Sequence, residues 1–263
     1  MNKIDIHNHI AWNVDDGIET KENANLALIN AYKDDIHELI VTPHFVPGRQ
    51  NKEDVIAINA RICDLQLLGQ NHGIKIHHGS EVFLNDDYLE MIDQDLCNTL
   101  ADSSYLLCEF DVRKDIKYNE EAEDKLYELY IRELIPVVAH VERYFHSELD
   151  LHRVQDWIDS GYVIQVNRTS FIGSHGKQAQ DNAFQLLRAG MVHVIASDAH
   201  RTSGSRILQL SDVYDIVKDE VGEANAQLLF YKNPKHIINN EEIEDMVIEK
   251  KKKSSWFSRF RRG

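Results

Sequence analysis

The sequence predicts an α/β fold in which seven parallel strands alternate with helices and close, or nearly close, into a barrel. Seven short apolar runs rich in β-branched residues recur along the chain, and the stretches between them have helical spacing. This alternation is typical of parallel βα units. The length of 263 residues suits one such barrel, and no linker separates two halves. We therefore expect a single barrel domain over residues 1–249 and a separate segment over 250–263.

The predicted strands combine apolar residues with β-branched or aromatic ones. They cover residues 3–6, 38–41, 74–78, 105–108, 135–139, 162–166 and 192–196. The predicted helices lie between them. Thr20 can cap the first, and residues 51–71 carry apolar residues at i, i+3, i+7 and i+10, which share one helix face. Further helices are expected over 119–133, 152–160, 177–188 and 205–221.

The net charge is acidic and unevenly distributed. The chain has 29 Lys and Arg against 44 Asp and Glu, and seven of the basic residues lie in 250–263, which contains no acid. Without those seven, 22 basic residues face 44 acidic ones, so residues 1–249 carry −22. Because phosphate backbones attract basic surfaces, this balance excludes nucleic acid as a partner of the barrel.

The basic segment 250–263 also contains Trp256, Phe257 and Phe260. Basic residues interleaved with aromatic ones are typical of contact with an anionic membrane surface. A solvated terminus without fixed structure is the alternative interpretation.

Three cysteines, Cys63, Cys97 and Cys108, form an odd set without metal-type spacing, which indicates reduced thiols in an intracellular protein. The first residues contain no apolar signal segment, and no apolar run approaches the roughly 20 residues that span a bilayer. We expect a cytoplasmic protein that can also lie peripherally at the inner face of the cell membrane.

The most informative residues follow the predicted strands. In a parallel βα barrel the carboxyl ends of all strands meet on one face, where the chemistry is placed. Five histidines and several carboxylates are expected at this face. The strand ends read His7-Asn8-His9, Thr42-Pro43-His44, Gly79-Ser80-Glu81, Cys108-Glu109, His140-Val141-Glu142-Arg143, Asn167 and Ser197-Asp198-Ala199-His200.

These residue types predict a site for divalent metal ions. His7 and His9 point to the same side of a strand because side chains alternate along it. A mixed nitrogen and oxygen set suits zinc, manganese or iron(II) better than calcium, and cations relieve repulsion among crowded carboxylates. The candidates suffice for three ions with one bridging carboxylate. They are His7, His9, Asp16, His44, Glu81, Glu109, His140, Asp198 and His200.

The other histidines lie away from these ends and are interpreted as surface or core residues. His77 and His78 precede a strand end and are not expected to bind metal. The loop 167–177 contains two glycines and Phe171, which we expect to be exposed. It is either a lid or peptide-docking edge, or an ordinary connection.

Six motifs occur in order along residues 1–240. They are Asp5-Ile6-His7-Asn8-His9, Asp15-Asp16-Gly17, Thr42-Pro43-His44, Gly79-Ser80-Glu81, His140-Val141-Glu142-Arg143-Tyr144 and Ala196-Ser197-Asp198-Ala199-His200. Together they resemble the polymerase and histidinol phosphatase (PHP) superfamily, and more closely the manganese-dependent protein-tyrosine phosphatases of bacterial capsule and exopolysaccharide operons. The resemblance implies a distorted (β/α)7 TIM-like barrel of the PHP type with a trinuclear centre of Mn²⁺, with Fe or Zn as alternatives.

The resemblance also implies roles for individual residues. The first ion would be held by His7, His9, Glu81 and Asp198; the second by Glu81, Glu109 and His140; the third by Asp16, His44 and His200. Arg143 matches a phosphate-binding arginine. Arg206 matches a second one, although the loop 202–205 is one residue longer than the family pattern, which leaves Arg201 as the other candidate. The catalytic set so implied is Arg143, Arg206, Asp198 and His200.

The expected chemistry is phosphate-ester hydrolysis. Bound metals lower the pKa of water to near neutrality, so that hydroxide can attack phosphorus in line. Planar guanidinium groups grip phosphate oxygens bidentately. A cysteine-dependent mechanism would need Arg six residues after the nucleophilic Cys, and those positions hold Gly69, Ser103 and Lys114. The cysteine mechanism is therefore excluded.

We expect the substrate to be phosphotyrosine on a bacterial tyrosine kinase that regulates capsular polysaccharide, at C-terminal phosphotyrosines. One alternative is a small-molecule phosphomonoesterase of the histidinol-phosphatase type; that type more often carries His where this chain has Asp16 and Glu109. Another is a non-catalytic regulator that binds the kinase, although no ligand is lost from the pattern. A nuclease is disfavoured by the charge of −22 on residues 1–249.

Overall fold

A computed structural model describes residues 2–248 and has a mixed α/β fold. Its strands all pair in parallel. They are β1 (Lys3–Asp5), β2 (Ile36–Val41), β3 (His44–Phe45), β4 (Lys75–His78), β5 (Glu81–Phe83), β6 (Tyr105–Glu109), β7 (Ile135–Val138), β8 (Val163–Asn167) and β9 (Val194–Ala196). Each of the seven predicted strands is confirmed. The short strands β3 and β5 were not predicted.

The helices lie between the strands in sequence. They are α1 (Lys21–Lys33), α2 (Lys52–Gln70), α3 (Tyr88–Asp93), α4 (Ala122–Tyr130), α5 (Leu151–Asp159), α6 (Arg168–Phe171), α7 (Lys177–Ala189), α8 (Ser211–Val221), α9 (Glu223–Gln227) and α10 (Asn233–Asn239). Short 3-10 turns cover Leu100–Asp102, Ile116–Tyr118 and Val141–Arg143, and a π-helical turn covers Leu228–Lys232. Among the described residues, no helix is both long and apolar enough to span a membrane.

Side chains cap the first helices as the sequence predicts. The Thr20 hydroxyl accepts a hydrogen bond from the Asn23 backbone N–H, and Asn51 forms a reciprocal capping box with Asp54. The predicted helix over 205–221 is wrong at its beginning, because α8 begins only at Ser211. Residues 205–210 form a loop in which Leu208 and Leu210 are buried and anchor it. Helix α4 is likewise shorter than the range 119–133.

The strands form a curled parallel sheet system. One sheet has the order β1-β2-β4 and the other the order β3-β5-β6-β7-β8-β9. Only two residues separate β2 from β3, and two separate β4 from β5, so the sheets share two continuous chain paths. Just beyond the ends of β1 and β9, the Asp198 N–H donates to the His7 carbonyl (2.8 Å) and the His9 N–H donates to the Ala199 carbonyl (2.8 Å). The carboxyl ends of the first and last strands therefore meet.

Two clusters of buried apolar side chains support this arrangement. The larger one packs the helices against the strands. The smaller contains residues of β1, β6, β7, β8 and β9. It also contains Leu100, from the 3-10 turn Leu100–Asp102, and Ile237 of α10. The residues at or just after the carboxyl ends of several strands are polar instead, and many of them are buried, among them His7, His9, His140, Asn167, Asp198 and His200. The carboxyl ends of the strands therefore hold a buried polar cluster, which forms the candidate site.

Candidate metal centre

The structure brings all nine predicted ligand residues together at the carboxyl ends of the strands. Their nitrogen and oxygen atoms form four overlapping groups, and the ligand atoms of each group lie within 4.8 Å of one another. The groups are His7, His9 and Asp198; His7, Glu81 and His140; His44, Glu81 and Glu109; and His9, Asp16, His44 and His200. Side chains from several strands and from the loop after β1 thus face a single point.

The innermost part contains four buried donor atoms. His7 Nε2 and His9 Nε2 are 3.3 Å apart, and each lies 3.2 Å from Glu81 Oε2. Asp198 Oδ1 lies 3.7 Å from His7 Nε2 and 3.6 Å from His9 Nε2. These are the four residues that the resemblance assigns to the first ion.

Glu81 extends this group toward the other strands. Its Oε1 lies 3.0 Å from His140 Nε2, and its Oε2 lies 3.1 Å from His44 Nδ1. The Glu109 carboxylate faces the same two rings, at 3.5 Å from His140 Nε2 and 3.2 Å from His44 Nδ1. Both oxygens of Glu81 are therefore in use, as a bridging carboxylate requires.

Asp16, His44 and His200 form the outer part. Asp16 Oδ1 lies 3.5 Å from His44 Nε2 and 3.4 Å from His200 Nε2. His44 thus faces the inner carboxylates with Nδ1 and Asp16 with Nε2. It links the second and third predicted groups instead of belonging to one alone.

Neighbouring groups fix the orientation of three of the imidazole rings. Gln165 Oε1 lies 3.1 Å from His7 Nδ1, Asp15 Oδ2 lies 2.8 Å from His9 Nδ1, and the Asp198 carbonyl lies 3.0 Å from His200 Nδ1. Since each partner is an acceptor, each Nδ1 carries the hydrogen and each Nε2 presents a lone pair to the centre. Metal-binding histidines in proteins are oriented in this way.

Sequence reasoning missed Gln165. This fully buried side chain also accepts from the His140 backbone N–H (2.8 Å) and donates to Asn167 Oδ1 (2.9 Å), and Asn167 in turn donates to Asp198 Oδ2 (2.7 Å). A signal was available. Gln165 stands two residues before the strand-end Asn167, so both side chains point to the same side of β8.

Two residues of the site have left-handed backbone conformations, His140 with φ 36° and Asp198 with φ 48°. Such angles are uncommon in residues other than glycine, and they concentrate at functional sites. The buried Asp5 fixes the residue that precedes Asp198, because its carboxylate accepts hydrogen bonds from the N–H (2.7 Å) and hydroxyl (2.8 Å) of Ser197. Burial raises the pKa of Asp5 to about 6.

The carboxylates determine the charge of the histidines. Although burial opposes an imidazolium ion, the nearby Glu81 carboxylate raises the pKa of His7 to about 9 and that of His44 to about 12. Burial is likewise outweighed at Glu81, where His7 and His44 hold the pKa well below its usual range. His200 differs, because burial and His9 lower its pKa to about 4. The carboxylates thus attract positive charge, which protons supply when no metal is present.

The donor set fits divalent metal ions. Ligand atoms about 2.1 Å from a common ion lie roughly 3.0–3.4 Å apart in octahedral or tetrahedral geometry, close to the innermost separations. The short distance between His7 Nε2 and His9 Nε2 brings two acceptors together, which a shared cation explains. His140 Nδ1 is buried and has no hydrogen-bond partner among residues 2–248. Imidazole and carboxylate ligands without thiolates are suited to manganese, iron(II) or zinc.

Two arginines face this cluster. Arg143 Nη1 lies 3.7 Å from Asp198 Oδ2, and Arg206 Nη2 lies 2.9 Å from Asp198 Oδ1 and 3.1 Å from His200 Nε2. Arg201 instead donates to the backbone carbonyls of Asp16, Gly17 and His200. The loop before α8 therefore presents Arg206, not Arg201, to the centre.

Seven of the nine cluster residues, all except the fully buried His7 and His9, line an open cleft of about 390 Å³ together with the two arginines. The Asp16 side chain is 66% exposed and that of Arg206 is 32% exposed, whereas Glu81 at the base is only 1% exposed. Phe83 and Val112, which are partly exposed, contribute apolar surface to its lining, whereas Phe110 is only 2% exposed. The cleft is thus open to solvent at Asp16 and Arg206 and closed at Glu81.

Other predicted features lie outside the cleft. His77 pairs with Glu38 and His78 with Asp102, as expected for residues that do not join the cluster. The expectation that Phe171 is exposed is wrong. It is 2% exposed, because its ring packs against Phe184 of α7 at 5.2 Å.

Neither Cys97 nor Cys108 offers a nucleophile to the cleft. Cys108 is buried within β6, and burial raises its pKa. Burial also raises the pKa of Cys97 to about 12, and neither residue lines the cleft. The ionisation that thiol catalysis requires is suppressed at both.

The chain is similar to known proteins over nearly its whole length. The family model for capsular polysaccharide synthesis, CpsB/CapC, matches residues 3–239. Tyrosine-protein phosphatase CpsB of Streptococcus pneumoniae is 31% identical over 248 residues, covering 91% of this chain and 100% of that protein. Tyrosine-protein phosphatase YwqE of Bacillus subtilis (strain 168) is 26% identical over 245 residues, covering 91% and 93%.

The fold also has a close match among solved structures. It is a chain from crystal structures of YwqE from Bacillus subtilis and CpsB from Streptococcus pneumoniae, which are described as unique metal-dependent tyrosine phosphatases. The match has a TM-score of 0.78 at 24% identity and covers 95% of this chain and 99% of that one. Because the family model spans most of the sequence, this chain belongs to the CpsB/CapC family of capsular polysaccharide synthesis.

Proposed function

We propose that this protein is a metal-dependent protein-tyrosine phosphatase, which hydrolyses phosphotyrosine on a bacterial tyrosine kinase that regulates capsular or exopolysaccharide synthesis. The observation that carries the proposal is the cluster of nine imidazole and carboxylate side chains beside two arginines at an open mouth. Membership of the capsular polysaccharide family and the names of its phosphatase relatives support the substrate class.

The ions would be held by the nine residues of the cluster, with Glu81 as the bridge. The proposed cofactor is Mn²⁺ in a three-ion centre, with Fe or Zn as alternatives that the same donors accept. Bound divalent ions would supply Lewis acidity, which neutralises the charge of the phosphate and lowers the pKa of the attacking water.

The chain's own residues bind and orient the substrate. Arg143 and Arg206 approach Asp198 from opposite carboxylate oxygens, so a phosphate group above Asp198 can accept hydrogen bonds from both guanidinium groups. Asn167 holds the Asp198 carboxylate in place, and Asp198 holds the His200 ring through its carbonyl. We propose that Arg143, Arg206, Asp198 and His200 are the residues on which turnover depends.

The tyrosinate ion is a good leaving group. Its phenol has a pKa of about 10, so the departing tyrosinate requires less protonation than a serine alkoxide does. The apolar surface of Phe83 and Val112 beside the cleft suits the aromatic ring of the substrate. An open cleft with apolar side chains in its lining favours a phosphorylated aromatic side chain on a protein.

We further propose that the two sheets and the contacts between the ends of β1 and β9 correspond to a distorted (β/α)7 barrel of the PHP type, with residues 1–249 as one domain. We propose that the protein is cytoplasmic and that residues 250–263, which lie beyond the described residues, contact an anionic membrane surface near a membrane-bound kinase. The seven basic and three aromatic residues of that segment support this contact.

Substrate preference tests the proposal. Protein loaded with Mn²⁺ would be given a phosphotyrosine peptide, a phosphoserine peptide of the same sequence, and histidinol phosphate, with release of inorganic phosphate as the readout. We expect the phosphotyrosine peptide to have the highest kcat/KM. A preference for histidinol phosphate would move the function to small-molecule metabolism, and turnover of none with metal bound would indicate a non-catalytic regulator.

A further inference from the structure

A second cavity adjoins the cleft beside Arg143. It has a volume of about 270 Å³ and shares Val112 and Arg143 with the cleft, so these two side chains separate the two hollows. Its other lining residues are Glu142, Phe145, His146, His175, Gln178 and Ala179. A substrate whose phosphate contacts Arg143 therefore has this second cavity within reach.

One side of the cavity offers hydrogen-bond donors. Helix α7 begins at Lys177, and its N-cap Gly176 supplies no side-chain hydrogen bond. The first N–H groups of a helix lack intrahelical acceptors, and the helix dipole makes this end positive. Gln178 and Ala179 of the first turn line the cavity together with Arg143. The combination favours a negatively charged group.

His175 is a further polar residue of this cavity. Its Nε2 lies 2.9 Å from the Thr169 hydroxyl oxygen, and the ring stands in the loop between α6 and α7. Burial and the Arg143 guanidinium lower the pKa of His175 to about 4. The ring is therefore neutral at pH 7 and available as a hydrogen-bonding group.

The cavity wall also includes a buried oxygen that lacks a donor. Glu142 is fully buried, and its Oε1 accepts from the Asn167 N–H (3.1 Å) and from the Ser170 hydroxyl. Its Oε2 has no hydrogen-bond partner within residues 2–248. Buried polar atoms are nearly always paired, so such an atom beside a cavity indicates a ligand that carries a donor. A peptide carries backbone N–H donors, and an acidic residue adds the carboxylate that suits the other wall.

We propose that this cavity is a flanking-residue pocket, which binds an acidic side chain adjacent to the phosphotyrosine of a peptide substrate. The inference rests on the proposed function and defines its sequence preference. The wall formed by Val112 and Arg143 would separate the two side chains of the peptide, with the phosphate on one side and the carboxylate on the other. We expect a preference of about tenfold in kcat/KM for glutamate over lysine, which corresponds to about 1.4 kcal/mol.

The test uses the full-length protein loaded with Mn²⁺ and three phosphotyrosine peptides of otherwise identical sequence. In the first, both residues next to the phosphotyrosine are Glu; in the second both are Gln, and in the third both are Lys. The measured quantity is the ratio of kcat/KM for the Glu peptide to that for the Lys peptide. Because both values come from one preparation, the ratio does not depend on how much of it is active. We expect the Gln peptide to lie between the other two.

Two opposite charges at one position sharpen the test. Gln178→Glu places a carboxylate in the pocket and should lower the ratio to about one or below, whereas Gln178→Lys should raise it by severalfold. Gln185→Glu is the matched control, because Gln185 is an exposed residue of the same helix that does not line the pocket. We expect the control to keep the wild-type ratio.

The outcomes separate the pocket from the proposed function. Equal turnover of the three peptides by the wild type, or equal ratios in Gln178→Glu and Gln185→Glu, would overturn the flanking-residue pocket and leave the phosphatase intact. If one Gln178 variant does not fold, the other still decides the question. The inference requires Gln178→Glu to lower the ratio and Gln178→Lys to raise it, and a ratio unchanged from wild type would overturn it. Absence of turnover on every phosphotyrosine peptide would overturn both proposals.

Discussion

Replacing Gln165 with leucine tests how the buried hydrogen bonds organise the centre. The side chain accepts from His7 Nδ1 and from the His140 backbone N–H, and it donates to Asn167. Leucine has nearly the same volume but none of these groups. Gln165→Leu therefore removes three hydrogen bonds while keeping the packing of β8.

The magnitude follows from the groups left without partners. Three buried groups would be unpaired, the N–H donors of His7 and His140 and the Asn167 Oδ1 acceptor, and each costs about 1–3 kcal/mol. The free energy of unfolding without metal should thus fall by roughly 3–9 kcal/mol. The His7 ring would also lose the acceptor that fixes its tautomer, so metal affinity should fall about 10–100-fold.

The assays are Mn²⁺ titration by calorimetry and denaturant unfolding of the metal-free protein. Gln165→Glu keeps an acceptor for both N–H groups and should retain metal affinity much better than Gln165→Leu does. Gln155→Leu is the packing control, since Gln155 is a partly exposed helix residue whose amide donates to Asp159 Oδ1 (2.8 Å). The reasoning is refuted if Gln165→Leu binds Mn²⁺ as tightly as wild type and unfolds at the same denaturant concentration.

Three further predictions concern other parts of the chain. Arg143→Ala should abolish turnover of a phosphotyrosine peptide while the metal content, measured by mass spectrometry, stays unchanged; loss of metal would contradict its assignment to phosphate. Hydrogen bonds from His77 and Lys235 lower the pKa of Glu38 to about 2, so this carboxylate stabilises the fold above its unfolded pKa of about 4.5, and the contribution is lost as the pH falls toward 2. Glu38→Gln should therefore cost about 1–3 kcal/mol at pH 7 and nearly nothing at pH 2, and a constant difference in denaturant unfolding across that range would argue against it. Deleting residues 250–263 should weaken binding to anionic vesicles in a sedimentation assay, and unchanged binding would rule out the membrane contact.

Seven of the strands were predictable because each is a short apolar run with β-branched or aromatic residues, whereas β3 and β5 were not. These two have only two and three residues, and they follow Pro43 and Gly79-Ser80, which ordinarily indicate the end of a strand. The helix predicted over 205–221 begins too early because the spacing of apolar residues before it resembles that of the helix itself. Leu208 and Leu210 have helix-like spacing with α8, but they are buried as anchors of the loop that carries Arg206.

The convergence of eight of the nine metal-ligand candidates was predictable from their positions after the ends of parallel strands, since barrel geometry brings those ends together. Asp16 lies in the loop after β1, and its role in the centre was identified through the family resemblance. The choice between Arg201 and Arg206 was not, because it depends on backbone carbonyls that only the folded loop presents to Arg201. The burial of Phe171 could not be predicted from the sequence either. Flanking glycines indicate a loop, but they do not show that the loop packs its phenylalanine against α7.

The dependence of activity on metal tests the central claim most directly. The protein would be stripped with a chelator, and phosphate release from a phosphotyrosine peptide would be measured before and after addition of Mn²⁺. Our account predicts no turnover by the stripped protein and full recovery with Mn²⁺, with His7→Ala and Asp198→Ala failing to recover. Undiminished turnover by the stripped protein, confirmed to be metal-free by mass spectrometry, would contradict it.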